Sequence, residues 1–576
     1  MDPFGSPFDP DATAGPTADA AAGPTANDRP SSVPPPDAWG MHPAPTGNEP
    51  LRPFLPPPPP PTATSQMPVA SRHPGPPQWQ TASGYSPIPP APPAAYGALR
   101  PPAPVPTPWY RRVVAGLIVV ALIAGVLAVV FRQSLFPSAG DYPDKWDPRV
   151  TEIVRFVENT RGLTFKHPIP INFLAEADFV HLFDEPAGGG LDDETAKAYS
   201  DIYDAQGLAV GYDITAGEST VSAVTTLGYY TPTDDAIYIR GNELTAPVRV
   251  VLAHELTHAL QGQYFDFQLG GADDLEIRSI VEADAMRVED VYTSRLTEQE
   301  RKEADAANTL SDDSADDLAD VPWAVVEQRY APYALGPELV ADVFADGGNA
   351  GVDALIRNPP SESELLSPWT YGQGSAEAAI AVDTPTDAHL LEGPQALSEL
   401  QLLIMFDAWL PWTEARGALD GWAGGGYASY EKGGKGGDVC FTAKVQLTAG
   451  AATFADAVRD WAAASGSSAT PAVDGDAVTF EACARGSAAQ APATPIISPL
   501  QALVLEHDAV GLAGSDPTAE QIKGYQCFAA ALIDDPIAAP LLWIQEERTD
   551  TETAAFRTQE DVAADACGVP RIIPAP

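Results

Sequence analysis

The residues of this chain best able to do chemistry are His254-Glu255-Leu256-Thr257-His258, two histidines four apart with a glutamate beside the first. On a helix, positions i and i+4 share a face about one turn apart, so both imidazoles can reach one metal ion. Glu255 then flanks that ion, placed to take a proton from a water held there. This is the HExxH arrangement of metal-assisted peptide hydrolysis, and Zn2+ is the ion it implies. The bland alternative is a buried amphipathic helix whose two histidines are only hydrogen-bonded.

That chemistry requires a helix, and the surrounding residues predict one. Thr245 is suited to the N-cap with Pro247 in the first turn, and Leu252, Leu256 and Leu260 form an apolar row at spacing four. Gly262 stands where the helix could end. Upstream, Val150, Ile153, Val154 and Val157 repeat at helical spacing, Pro168 to Leu174 reads as a strand, and Glu194 to Ala205 as another helix. Gly228 to Arg240 reads as a hairpin or edge strand, with the turn between Thr231 and Asp235.

Composition divides the chain. Residues 1 to 108 hold 33 of its 60 prolines, too little apolar surface to offset chain entropy, so this stretch is expected to be disordered with polyproline-II character. It reads first as a flexible spacer, and its Pro-rich stretches could also engage a cytoplasmic partner. Of the formal charge of -47, residues 1 to 112 carry 7 acidic against 6 basic side chains, leaving 72 against 26 beyond them. So acidic a surface repels phosphate backbones and argues against nucleic acid as a ligand.

Val113 to Phe131 is nineteen residues without a charged or polar side chain. At 1.5 Å per residue it would span about 28 Å, enough to cross a membrane once. Arg100, Arg111 and Arg112 precede it within fifteen residues, against Arg132 and Lys145 after it, a weak bias toward a cytoplasmic N-terminus. Cys440, Cys483, Cys527 and Cys567 all follow this segment, and an even number suits an oxidising compartment. The large domain is therefore expected outside the cell membrane. Of three possible pairings, Cys440 with Cys483 and Cys527 with Cys567 is favoured, and no CxxC spacing suggests a cysteine metal site.

The order helix, strand, helix, edge strand, HExxH helix resembles the N-terminal subdomain of zincin metallopeptidases. Gly228 to Phe267, Ala334 to Leu366 and Gly421 to Tyr427 also resemble a group of little-characterised bacterial, often membrane-anchored metallopeptidases. The resemblance implies an edge strand that borders a cleft and pairs with an extended polypeptide substrate. A catalytic zinc needs a third protein ligand. No histidine follows His258 until His389, which excludes the metzincin extension. The gluzincin alternative takes a glutamate from the next helix, Asp274 to Tyr292, which offers Glu276, Glu282, Asp284, Glu289 and Asp290. Glu282 is the choice: it lies 24 residues after His258, and Ala283 and Ala285 would let the two helices approach closely. Glu282-Ala283-Asp284-Ala285 also resembles the EGDA-like block of those peptidases, with Ala283 in place of Gly. The gluzincin Asp four residues after the Glu is absent, Met286 standing there. Asp284 lies on the apolar face of this helix, where an unpaired carboxylate is costly, and a hydrogen bond to a ligand histidine is one candidate partner.

Farther on, residues Trp323 to Ile356 and Pro394 to Trp409 read as packed helices on the far side of the cleft, with Tyr330, Tyr333 and His389 as candidate oxyanion stabilisers. Glu298 to Asp320 reads as an exposed acidic helix or loop. Gly424 to Gly437 reads as turns between strands such as Val439 to Leu447 and Ala477 to Cys483, and helices return from Pro499. The expectation is an α+β chain: a disordered cytoplasmic tail (1–112), a transmembrane helix (113–131), a stalk (132–147), a zincin-like metallopeptidase domain (148–410) and an α/β extension with disulfides (411–576). The functional expectation is a membrane-anchored zinc peptidase acting on extracytoplasmic polypeptides. A non-catalytic binding or scaffold module of the same fold is the alternative.

Overall fold

The computed structural model describes residues 142–183, 193–232, 234–265, 275–308, 317–373, 380–514, 517–542 and 548–571. The expected tail, the apolar segment 113–131 and stalk residues 132–141 lie outside the described residues, as do residues 309–316 of the acidic stretch. No helix among the described residues is long and apolar enough to cross a membrane.

The described chain is α+β. Helix α1 (Thr151–Arg161) leads into strand β1 (Ile171–Leu174), then helices α2 (Asp193–Ala205) and α3 (Ile214–Thr225). Strands β2 (Gly228–Thr231) and β3 (Ala236–Arg240) follow, then the HExxH helix α4 (Ala246–Tyr264) and α5 (Leu275–Thr293). In the small sheet, β3 is central. It runs parallel to β1, with Ile171 opposite Ile237, and antiparallel to β2, with Tyr230 opposite Ile237. Of the hairpin read in the sequence, only β2 is therefore an edge. Asp235 makes its turn at φ 47°, the left-handed region that aspartate tolerates better than most residues.

The segment before α1 is docked rather than free. Tyr142 stacks on His167 with ring centroids 3.7 Å apart, Trp146 meets Phe165 edge-on at 4.9 Å, and the Arg149 guanidinium lies 4.4 Å from the centroid of the Phe173 ring. Beneath it Val150, the N-cap of α1, and Ile153, Val154 and Val157 within it share a core with Leu252, Leu256 and Leu260 of α4, as the two apolar rows require. Thr245 caps α4 by accepting a hydrogen bond from the Val248 N–H at 3.5 Å, with Pro247 in the first turn. The helix does not stop at Gly262 but runs on to Tyr264. Glycine is needed there for room: a Cβ would stand 2.7 Å from the Tyr230 hydroxyl.

Helix α6 (Glu298–Asn308) is followed by α7 (Trp323–Leu335) and α8 (Pro337–Arg357). The second expected helical stretch, Pro394 to Trp409, begins instead as strand: β4 is His389–Ala396, and helix α9 starts at Glu399 and ends at Asp407. Strands β5 (Trp422–Lys432), β6 (Asp438–Leu447), β7 (Ala472–Asp474) and β8 (Ala477–Cys483) complete an antiparallel sheet of order β4-β5-β6-β8-β7. Gly424 to Gly426 lie inside β5 rather than in a turn. At Gly426 a side chain is impossible, since its Cβ would fall 1.9 Å from the Ile380 carbonyl oxygen. Helix α10 (Ala451–Ser465) covers this sheet, and α11 (Pro499–Gly511), α12 (Ala519–Ile533) and α13 (Asp550–Cys567) close the chain.

Residues on both sides of position 410 share one core, in which Tyr333, Leu403, Phe454, Phe480, Leu503 and Phe528 are all buried. Both favoured cysteine pairings are present: Cys440–Cys483 joins the neighbouring strands β6 and β8, and Cys527–Cys567 joins α12 to α13.

Candidate metal centre

Helices α4 and α5 pack against each other, and three side chains converge between them. The Nε2 atoms of His254 and His258 lie 2.9 Å apart, and each is 3.2 Å from Oε2 of Glu282. All three residues are fully buried.

The groups behind these atoms decide their protonation. Nδ1 of His254 is 2.8 Å from Oε2 of Glu289, which can only accept, so that nitrogen carries the proton and Nε2 presents a lone pair. Nδ1 of His258 is 3.0 Å from Oε1 of Gln261. The Gln261 amide is fixed in orientation because its nitrogen donates to the Val281 carbonyl at 3.1 Å and to Oδ2 of Asp284 at 2.8 Å. His258 therefore also donates from Nδ1 and presents a lone pair at Nε2. Glu282 is turned the same way: its other oxygen accepts from the Tyr333 hydroxyl at 3.1 Å.

With both rings neutral, three electron-rich atoms are thus aimed at one point, an arrangement that repels itself unless a proton or a metal cation sits among them. The electrostatics agree. Burial opposes a charge on His254, yet the Glu282 and Glu289 carboxylates outweigh it and hold its pKa well up. Burial likewise opposes ionisation of Glu282, and the two histidines outweigh it and hold its pKa down. Both shifts say that positive charge is stabilised here. A tetrahedral ion with ligands at about 2.0–2.1 Å separates them by about 3.3–3.4 Å, close to the observed triangle. His254, His258 and Glu282 can hold a metal ion.

Glu255 points from the same helix without joining the triangle. It is fully buried, and neither oxygen makes a hydrogen bond of ordinary geometry, although the Tyr230 backbone N–H from β2 is near enough to favour its charged form slightly. Burial dominates and pushes its carboxyl up to about 7, against the opposing pull of His258 and His254. A carboxylate poised near neutrality beside a cation site suits proton transfer.

The other expected residues fall in different places. Asp284 reaches no histidine. It accepts from Gln261, pairs with Arg161 Nε at 2.8 Å and with Arg287 at 2.9 Å, and so stands one residue behind His258's partner. Tyr333 is brought to the centre, but its hydroxyl is engaged with Glu282. Tyr330, one turn earlier on α7, is buried and faces Thr225. His389 is at the start of the exposed strand β4, 3.9 Å from Glu431, away from the triangle. Glu289 and Gln261 were not singled out as partners of the histidines. Glu289 had a signal, lying seven residues and two turns after Glu282 on one face of α5, and Gln261 lies three residues after His258.

No protein-family model, curated protein or solved structure matches the chain.

Proposed function

We propose that this protein is a zinc-dependent peptidase of zincin type, with Glu255 as its general base. The observation that carries the reading is the convergence of His254 Nε2, His258 Nε2 and Glu282 Oε2, backed by Glu289, Gln261 and Tyr333, with the buried Glu255 carboxyl beside them. His254, His258 and Glu282 would hold zinc, which would supply Lewis acidity and ease deprotonation of an attacking water. Glu255 is placed to take a proton from the attacking water and to deliver it to the leaving amine. Among the described residues strand β2 is paired on one side only, the side from which an extended substrate would add. Tyr333 holds the third ligand in place from behind.

The reading includes a single membrane anchor at Val113 to Phe131 with the described domain outside, which two disulfides support because such bonds persist in oxidising compartments. Protease added to intact cells should then remove the domain and spare the Pro-rich tail. The tail in turn would face cytoplasmic partners.

Full burial of the centre favours one second reading, a closed module that holds a metal and cleaves nothing. Glu255→Gln separates the two. The peptidase keeps about one zinc per chain in this variant and loses cleavage of a peptide library, whereas a module shows no cleavage in either form. Zinc content that survives His254→Ala with His258→Ala sinks the metal assignment altogether.

A further inference from the structure

The chain enters the fold through a strap, residues 142–149, whose side-chain contacts lead to two elements beside the centre. Tyr142 stacks on His167 with ring centroids 3.7 Å apart and Trp146 meets Phe165 edge-on at 4.9 Å, so the strap rests on the loop 164–168. That loop is tied to the end of the HExxH helix. Tyr264 donates to the Thr164 carbonyl at 2.6 Å, and the Gln263 side chain accepts from the Lys166 N–H at 2.7 Å and donates to the His167 carbonyl at 3.0 Å. From His167 a second path leads to β2. Its Nε2 lies 3.7 Å from Oδ2 of Asp235, whose Oδ1 accepts from the Tyr230 hydroxyl at 2.8 Å. Burial and the same Asp235 carboxylate raise the pKa of the Tyr142 hydroxyl, in keeping with a ring seated beside that turn.

Tyr230 is where this path meets the strand edge. The Ile237 N–H bonds to the Pro170 carbonyl and the Arg240 N–H to that of Leu227, so the main-chain groups of β3 alternate between its two neighbours. By register, Tyr229 and Thr231 then bond to β3, while Gly228 and Tyr230 turn their main-chain groups to the side on which a further strand would add. Both of these residues lie against α4: a Cβ on Gly228 would stand 2.8 Å from Val251, and one on Gly262 would stand 2.7 Å from the Tyr230 hydroxyl. Both are buried, as is every residue of the centre. A peptide therefore reaches neither until β2 shifts. The side-chain tie that holds the turn of β2 ends on Tyr142, a residue 42% exposed at the rim of the fold.

We propose that this strap is an autoinhibitory latch: with Tyr142 seated on His167 beside Asp235, β2 is held against the HExxH helix, and withdrawal of Tyr142 frees β2 to accept a peptide strand. An aromatic stack weights the seated state over the withdrawn one by only about two- to tenfold, so a pull on the chain ahead of Tyr142 is enough to tip the balance. The proposal deepens the peptidase reading and rests on it, and the two can fail separately.

The test measures amide hydrogen exchange in the full chain, comparing wild type with Tyr142→Ala, Tyr142→Phe and Asp235→Gly. Glycine adopts the positive φ of position 235 without strain, so the last variant removes the carboxylate and keeps the turn. Tyr142→Ala and Asp235→Gly should each speed exchange across residues 228–231 by about two- to tenfold, and Tyr142→Phe, which keeps the stacked ring, should stay within about twofold of wild type. Strands β6 and β8 are the reference. Equal acceleration there means general loosening and overturns the latch, as does exchange across 228–231 that stays at the wild-type rate. Peptide cleavage by Tyr142→Ala should rise by the same factor. A fall or no change overturns the proposal, because the strap would then support β2 or leave it alone rather than restrain it. If wild type cleaves no peptide, the peptidase reading fails, and the latch is decided by exchange together with the rate at which a chelator strips zinc: faster in Tyr142→Ala if the strap keeps the centre shut, unchanged if it does not.

Discussion

At the scale of single residues, the two histidines depend on different partners, one charged and one neutral. Removing either should cost metal affinity: Glu289→Gln and Gln261→Ala should each weaken zinc binding about 10–100-fold, measured by chelator competition. Asp284→Asn should behave differently. It removes the carboxylate that Arg161 and Arg287 share and leaves Arg161 with Asp353 alone, so it should cost about 1.5–3 kcal/mol of stability in denaturant unfolding, with a smaller change in zinc affinity than Gln261→Ala. The pH dependence follows from Glu255. Its raised pKa means the working, deprotonated base is lost as pH falls, so kcat/KM should drop through an acidic limb at or below about pH 7, since a bound dication pulls that pKa down. A flat profile from pH 5 to 8 would remove Glu255 as the base. His254, Glu255, His258 and Glu282 were legible in the sequence because spacing along one helix, and the next acidic helix, restrict where a metal can sit. Gln261 and Glu289 were not. Which carboxylate meets which ring nitrogen depends on how α4 and α5 are rotated against each other, and apolar periodicity leaves several rotations open. Asp284 illustrates this: its burial was read correctly, and its partners proved to be arginines from α1 and α5.

At the scale of elements, the centre is made by contacts between helices that glycine permits. Gly336 lets the α7–α8 joint lie against Ser279 on α5, and this seats Tyr333 on Glu282. Gly336→Ala must push the joint away from the Ser279 carbonyl. It should cost about 1–3 kcal/mol in thermal unfolding and weaken zinc binding as Tyr333 leaves its carboxylate. Unchanged stability would mean the joint is not held there. The helices around the site were legible because their apolar rows repeat at 3.6 and their caps are conventional, Thr245 on α4 above all. The stretch from Pro394 to Trp409 was read as helix throughout, and only Glu399 to Asp407 is. Pairing with β5 instead draws residues 389–396 into a strand. Gly424 to Gly426 misled for a similar reason: in β5 glycine serves close approach by Ile380, and a sequence cannot distinguish that from a turn.

At the scale of the molecule, the disulfides join β6 to β8 and α12 to α13, elements that carry no residue of the centre, each closing a loop of about 40 residues. Chain entropy gives each a stabilisation of about 4 kcal/mol. Alkylation without reductant should label none of the four cysteines, and prior reduction should lower the unfolding temperature while leaving zinc bound in the folded protein. Labelling of all four would overturn the extracytoplasmic placement as well. The docked segment at the start of the fold has a different consequence. Tyr142 is pinned against His167 beside the Asp235 turn, so ten residues, 132–141, separate Phe131 from the first described residue. Whatever path they take, these cannot extend beyond about 40 Å. If Val113 to Phe131 crosses a membrane, the domain works on a leash of fixed length, and the height of a peptide bond above the lipid governs whether it comes within reach as strictly as the residues on either side of it.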